Sequence, residues 1–192
     1  MINWYKLIYG IVFPAQRLIF PIKAYGRENI IEGAAVVCAN HSSVVDVPLI
    51  AFTFTTKQPL FFMSKREILE IPIIGAAFKR AGVYPVSRDA ADITAVRTSM
   101  LHLKNNEKIM IFPEGTRVTE IEASEAKTGA VRIAAKMKCP IIPIYVERKK
   151  RAFRRNGVYI GKPFYVQTPK DKNFEPLADL LMEKIYELEP KP

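Results

Sequence analysis

One of the chain's two histidines closes an apolar run, in Cys38-Ala39-Asn40-His41-Ser42-Ser43-Val44-Val45-Asp46. Histidine is the side chain whose ordinary titration falls near neutrality. A carboxylate bound to one ring nitrogen fixes its tautomer and leaves the other nitrogen as a base. On a continuous helix five residues turn about 500°, leaving the two side chains about 140° apart. His41 and Asp46 can therefore meet only with the histidine in a loop and the aspartate in the first turn of the helix that follows. Ser42 or Ser43 can cap that helix. Ser43-Val44-Val45-Asp46 also matches a capping box, whose acid is favoured by the helix dipole alone. Spacing leaves cap and catalytic pair equally open. Neither serine stands in a G-x-S-x-G elbow, so a serine nucleophile is not expected here.

The second stretch is Ile109 to Arg117, "IMIFPEGTR". A strand-like run ends in proline and is followed by an acid, a glycine that permits close backbone approach, a hydroxyl and a guanidinium. That set suits an anion cradle. Pro-Glu-Gly-Thr is equally a turn sequence, so the stretch read alone keeps both meanings.

Elements of the right kind surround both stretches. Strand-length apolar runs at 34–39, 60–63, 83–86, 108–112, 141–146, 158–160 and 164–166 alternate with helical patterns at 44–54, 73–81, 90–105, 126–137 and 174–188. Several strand runs are continuously apolar, as strands covered on both faces are. The expected fold is α/β: a single domain with a mixed, mostly parallel central sheet flanked by helices. In such sheets sites form outside the carboxyl ends of strands, and both stretches follow a candidate strand at that end.

At 192 residues the chain suits one domain, and its formal net charge of +10 attracts an anionic partner without choosing which. Cys38 and Cys139 lack metal-ligand or redox spacing, which favours a reducing cytosol; no metal or cofactor is expected. The opening "MINWYKLIYGIVFPAQRLIFPI" is interrupted by Lys6, Gln16 and Arg17, which leaves less than the roughly 20 apolar residues a bilayer span needs. Trp4, Leu7, Ile8 and Ile11 form one helical stripe and Tyr5, Tyr9, Val12 and Phe13 cover much of the rest. Trp4, Tyr5, Lys6 and Arg17 suit the headgroup layer. The segment reads as a helix or helical hairpin, bent at Pro14, lying in the membrane interface; a terminal helix packed on the core is the other reading. The run "RKKRAFRR" at 148–155 holds six cations in eight positions. It fits anionic headgroups, coenzyme A phosphates, an acidic carrier protein or a solvated loop, and one aromatic makes no nucleic-acid stacking platform. His102 reads as exposed and without a role.

Taken together, the stretches resemble the glycerolipid acyltransferase family, which includes bacterial 1-acylglycerol-3-phosphate acyltransferases. His41 and Asp46 match its H-x4-D motif. "FFMSKREILEIPIIGAAFKRAGVYPVSRD" is similar to the second block, placing Lys65, Gly75 and Arg88, "IFPEGTR" to the third, and "KTGAVRIAAKMKCPIIPIYV" to the fourth. The resemblance covers about 26–162, with the blocks in family order. Two positions depart from it, Ser87 where an acid is usual and Val118 where a serine is common.

The resemblance implies acyl transfer from a thioester of coenzyme A or acyl carrier protein to the free hydroxyl of lysophosphatidate. His41 would be the base oriented by Asp46, with Lys65 supporting the oxyanion. Gly115, Thr116, Arg117, Arg88 and Lys127 would receive the substrate phosphate, and Glu114 would hold the arginine or substrate hydroxyls. It also implies a peripheral or monotopic enzyme on the cytoplasmic face of the membrane. Residues 1–25 would then be the membrane-associating segment, with Trp4, Tyr5, Lys6, Leu7, Ile8, Ile11, Phe13 and Arg17 contacting lipid, and 26–192 the acyltransferase domain. Lysophosphatidate, membrane lipids and the thioester carrier are the expected partners, and nucleic acid is not.

Overall fold

The computed structural model describes residues 4–191 apart from 55, 57, 87–91 and 119–125. Its strands are β1 (Ile22–Tyr25), β2 (Ala35–Ala39), β3 (Leu60–Lys65), β4 (Tyr84–Val86), β5 (Lys108–Ile111), β6 (Ile141–Val146) and β7 (Asn156–Ile160). Its helices are α1 (Trp4–Ile19), α2 (Asp46–Ala51), α3 (Arg66–Glu70), α4 (Ile74–Arg80), α5 (Ile93–Lys104), α6 (Gly129–Met137) and α7 (Glu175–Tyr186). The strands form one sheet in the order β1-β7-β6-β2-β5-β3-β4. Every neighbouring pair is parallel except β6 and β7. The expected mixed, mostly parallel α/β sheet is present.

Burial explains why the central strands read as unbroken apolar runs. Every residue of β2 and of β6 is buried. Along β2 the side chains alternate between two layers. Val36 and Cys38 join Ile109, Ile141 and Tyr145 beneath α6 and α7. Ala35, Val37 and Ala39 join Met110, Ile142 and Ile144 beneath Leu49 and Ile50 of α2.

The edges differ from the expected pattern. Ile22–Tyr25 is a strand parallel to β7, although its four residues with Lys23 among them carry little strand signal. Residues 164–166 form no strand; Phe164 makes one antiparallel bridge to Ile141. Arg66–Glu70 is a short helix that no periodicity marks, folded tightly against α4. Gly75 permits that fold, because a Cβ there would lie 2.1 Å from the Leu69 carbonyl oxygen.

α1 is one helix that runs through Pro14 without becoming a hairpin. Its inner face packs on the domain: the Tyr9 and Phe13 rings meet Phe52 edge-on at 4.9 and 5.1 Å. Tyr5 and Ile8 are partly covered as well. The outer face presents Trp4, Leu7, Ile11, Val12, Leu18 and Ile19 to solvent, with Lys6 and Arg17 among them. The helix thus joins features of both readings, packed on one face and apolar on the open one. Among the described residues, no helix is long and apolar enough to cross a membrane.

Candidate active site

The site gathers at the carboxyl ends of β2, β5 and β6. Directly after β2, buried Asn40 donates to the Val146 carbonyl (2.9 Å) and accepts from the Val146 amide (2.7 Å). This two-bond clamp ties the tips of β2 and β6 and sets the start of the next loop. His41 follows in the loop and Asp46 opens α2, the arrangement that five-residue spacing demands.

His41 Nδ1 lies 3.1 Å from Asp46 Oδ2. An ionised carboxylate only accepts, so Nδ1 carries the proton and Nε2 keeps its lone pair. The same Oδ2 accepts from the Ser42 and Ser43 amides, each at 2.7 Å. Half of a capping box therefore forms: the acid returns to the Ser43 N–H, while Ser43 Oγ accepts from the Val45 amide at 3.3 Å instead. One carboxylate serves as cap and as partner of the histidine. Phe112, just beyond β5, stacks on the imidazole at 4.0 Å between centroids, and 14% of the ring side chain stays accessible.

Glu114 is almost fully buried. Its Oε2 accepts from the His41 amide at 2.9 Å and its Oε1 accepts from the Tyr186 hydroxyl at 2.5 Å. Arg148 donates to that hydroxyl at 2.8 Å. Glu114 thus reaches Arg148 through Tyr186, and one of its oxygens holds the histidine's main chain. Burial and the Glu114 bond raise the Tyr186 phenol well above its ordinary range, so it remains a donor.

Lys150 is the residue the sequence reading overlooks. It belongs to the basic run assigned to anionic partners, yet its ammonium contacts Asp46 Oδ1 and donates to Ser42 Oγ at 2.8 Å, with 6% of its side chain exposed. No local signal separates it from its five cationic neighbours, and it lies over a hundred positions from Asp46 in the chain. Burial pushes the Asp46 carboxyl upward, but the His41 bond, the Lys150 charge and the Ser43 amide prevail and hold it below the ordinary carboxylate range. Burial lowers the Lys150 ammonium in turn, and Asp46 opposes it.

The other expected site residues are placed less closely. Gly115 has φ +67°, and a Cβ there would press on Lys127 Cγ at 3.3 Å. The Lys127 amide donates to the Pro113 carbonyl at 2.8 Å, so this lysine shares the corner with the Pro-Glu-Gly turn. Thr116, Arg117 and Lys127 are exposed beside it. Lys65 is exposed at the carboxyl end of β3, separated from β2 by β5. Arg88 and Ser87 lie outside the described residues. Val118 needs no hydroxyl for its contacts: its side chain is buried, its amide donates to the His41 carbonyl at 2.8 Å, and its carbonyl accepts from Arg148 at 3.3 Å. His102, expected to be exposed, is instead half-buried, stacked on Phe61 at 4.1 Å and bonded to Glu107 at 2.7 Å.

A mostly parallel sheet with a histidine–carboxylate pair and a Pro-Glu-Gly-Thr-Arg turn at its carboxyl edge defines an acyltransferase-type α/β domain. The family model described as Acyltransferase matches residues 21–147, and the chain belongs to that family. Among its relatives, the 1-acyl-sn-glycerol-3-phosphate acyltransferase of Bacillus subtilis is 29% identical over 180 residues, 88% of this chain and 89% of the relative. The chloroplastic 1-acyl-sn-glycerol-3-phosphate acyltransferase LPAT1 of Arabidopsis thaliana is 33% identical over 65% of this chain, which spans 35% of that longer protein. The crystal structure of the 1-acyl-sn-glycerophosphate (LPA) acyltransferase PlsC from Thermotoga maritima shares the fold, with a TM-score of 0.68 at 22% identity over 98% of this chain and 78% of that one.

Proposed function

We propose that this chain transfers a fatty acyl group from an acyl thioester to the sn-2 hydroxyl of lysophosphatidate, giving phosphatidate. The observation that carries the reading is the His41–Asp46 pair, with Nδ1 engaged by the carboxylate and Nε2 left as the base. The names of the Bacillus and Arabidopsis relatives support the acceptor.

In this reading Nε2 takes the hydroxyl proton as the hydroxyl oxygen attacks the thioester carbonyl carbon. The carbon–sulfur bond then breaks, and the proton passes from His41 to the departing thiolate. The products are an ester and a free thiol, and no acyl-enzyme forms. Asp46, kept anionic by Lys150 and two amides, stabilises the transient imidazolium. The roles carried by the family resemblance complete the step, with Lys65 supporting the oxyanion and Arg117, Gly115, Thr116, Lys127 and Arg88 receiving the phosphate. The donor is a coenzyme A or acyl carrier protein thioester. The outer face of α1, with its row of exposed apolar residues, rests in the membrane interface, and the family resemblance assigns the cytoplasmic side.

The test is transfer from palmitoyl or oleoyl thioesters to lysophosphatidate in detergent micelles, comparing the native chain with His41→Ala of matched thermal stability. Loss of the base lowers turnover by at least about a hundredfold. Turnover only with glycerol 3-phosphate or another lysophospholipid would reassign the acceptor. Unchanged turnover in His41→Ala would remove the base.

A further inference from the structure

Between β6 and β7 the chain makes a loop whose two faces differ. Inward, Lys150 contacts Asp46. Outward, Phe153 stands at the tip with 72% of its surface exposed, and Arg151, Arg154 and Arg155 are exposed around it. An isolated exposed phenylalanine needs no explanation, but this one is held in place. Phe153 has φ +59°, a left-handed conformation that a bulky side chain disfavours. Asn156, buried to 1%, stabilises the loop around it: its Oδ1 accepts from the Arg151 amide at 2.8 Å, and its Nδ2 donates to the carbonyls of Arg154 (2.7 Å) and Arg151 (3.1 Å).

The loop tip is also joined to the end of α1. The Phe153 amide donates to the Ile19 carbonyl, and the Asn156 amide donates to the Pro21 carbonyl at 2.8 Å. Leu18 and Ile19 are 71% and 40% exposed. Apolar side chains from two distant segments therefore share one surface, with the exposed loop arginines beside it. Arg151, Arg154 and Arg155 also line an open cavity of about 490 Å³ with Arg148, Glu147 and Glu189, so these guanidinium-bearing residues share one opening.

We infer that the β6–β7 loop is a second membrane anchor: Phe153 enters the lipid interface beside the end of α1, and Arg151, Arg154 and Arg155 engage anionic headgroups. The inference rests on the interfacial reading of α1 and adds a separate element to it. An exposed aromatic within an arginine cluster, continuous with more exposed apolar surface, fits an anionic bilayer better than the acidic surface of a carrier protein. The net charge of +10 agrees.

The test is flotation of the full chain with vesicles of phosphatidylcholine alone or of equal parts phosphatidylcholine and phosphatidylglycerol. Phe153→Gly suits the left-handed backbone and keeps the fold; it weakens binding to both vesicles by roughly tenfold. Replacing Arg151, Arg154 and Arg155 by Gln weakens binding to the anionic vesicles alone, by about fivefold for each arginine. Phe153→Trp in a Trp4→Phe background leaves a single tryptophan, whose emission shifts to the blue when anionic vesicles are added. The melting temperature of Phe153→Gly stays close to native, because the side chain it removes faces solvent. Native flotation with unaltered binding of Phe153→Gly, or an unshifted emission from the loop tryptophan of F153W, would overturn the loop anchor and leave α1 as the sole contact. Flotation of the native chain with neither vesicle would remove the interfacial reading and this inference together, whatever the micelle assay shows. A triple variant that binds vesicles normally yet loses turnover only with carrier-protein donors would make the loop a carrier-docking surface instead.

Discussion

Asp46 has no slack in its surroundings: one oxygen serves a ring nitrogen and two amides, and the other meets an ammonium. Asp46→Asn keeps the shape but exchanges an acceptor for a donor, so turnover falls by roughly a thousandfold as the imidazole loses its preferred tautomer. The same substitution has a stability signature. A carboxylate whose folded titration is depressed contributes stability that is complete above its unfolded value, near 4, and is lost as pH falls through the lower folded value. Acid unfolding followed by circular dichroism therefore falls less steeply below about pH 4 in Asp46→Asn than in the native chain. Lys150 is a positioning residue for this pair. Lys150→Met removes the cation that holds Asp46 Oδ1, so kcat falls by about tenfold while KM changes little. Lys150→Arg, which keeps the charge, restores most of the loss. A defect confined to folding would instead appear as a lower melting temperature with the activity per folded molecule unchanged.

Two glycines in helices make opposite demands on their elements. Gly75 sits where α4 folds back on α3, and a methyl group there would overlap the Leu69 carbonyl. Gly75→Ala destabilises the domain by about 2 kcal/mol, read as a lower melting temperature. Gly10 lies within α1 with nothing within 4 Å of an added Cβ. Gly10→Ala stabilises by roughly 0.5–1 kcal/mol through helix propensity, raising the melting temperature by about 1–4 °C for a chain of this size. If Gly10→Ala lowered it, the packing of α1 on Phe52 would need revision.

Across the whole molecule, exposed apolar residues of α1 and a strong positive charge act together on any lipid surface. Their contributions separate by salt, because screening shortens from about 30 Å at 0.01 M to about 8 Å at 0.15 M while apolar insertion is nearly unaffected. Affinity for phosphatidylglycerol-containing vesicles therefore falls steeply with added salt toward the weaker level seen with phosphatidylcholine alone. Replacing Leu7 and Ile11 by Ser lowers binding to both vesicles, and the melting temperature stays close to native because both side chains already face solvent.

The sequence carried β2 and β6 plainly, because burial on both faces demands continuous apolar residues. It also determined that His41 could meet Asp46 only across a loop-to-helix junction, since five residues cannot share a helical face. The edge strand β1 and the short helix α3 were not legible, because four or five residues carry too little periodicity. Only the tertiary structure turned Glu114 toward the His41 amide, brought Tyr186 and Arg148 in behind it, and chose Lys150 from six similar cations to face Asp46. Those partners come from segments far apart in the chain. What selects them is the proximity of strand tips in a sheet, a property of the packed molecule that no local pattern carries.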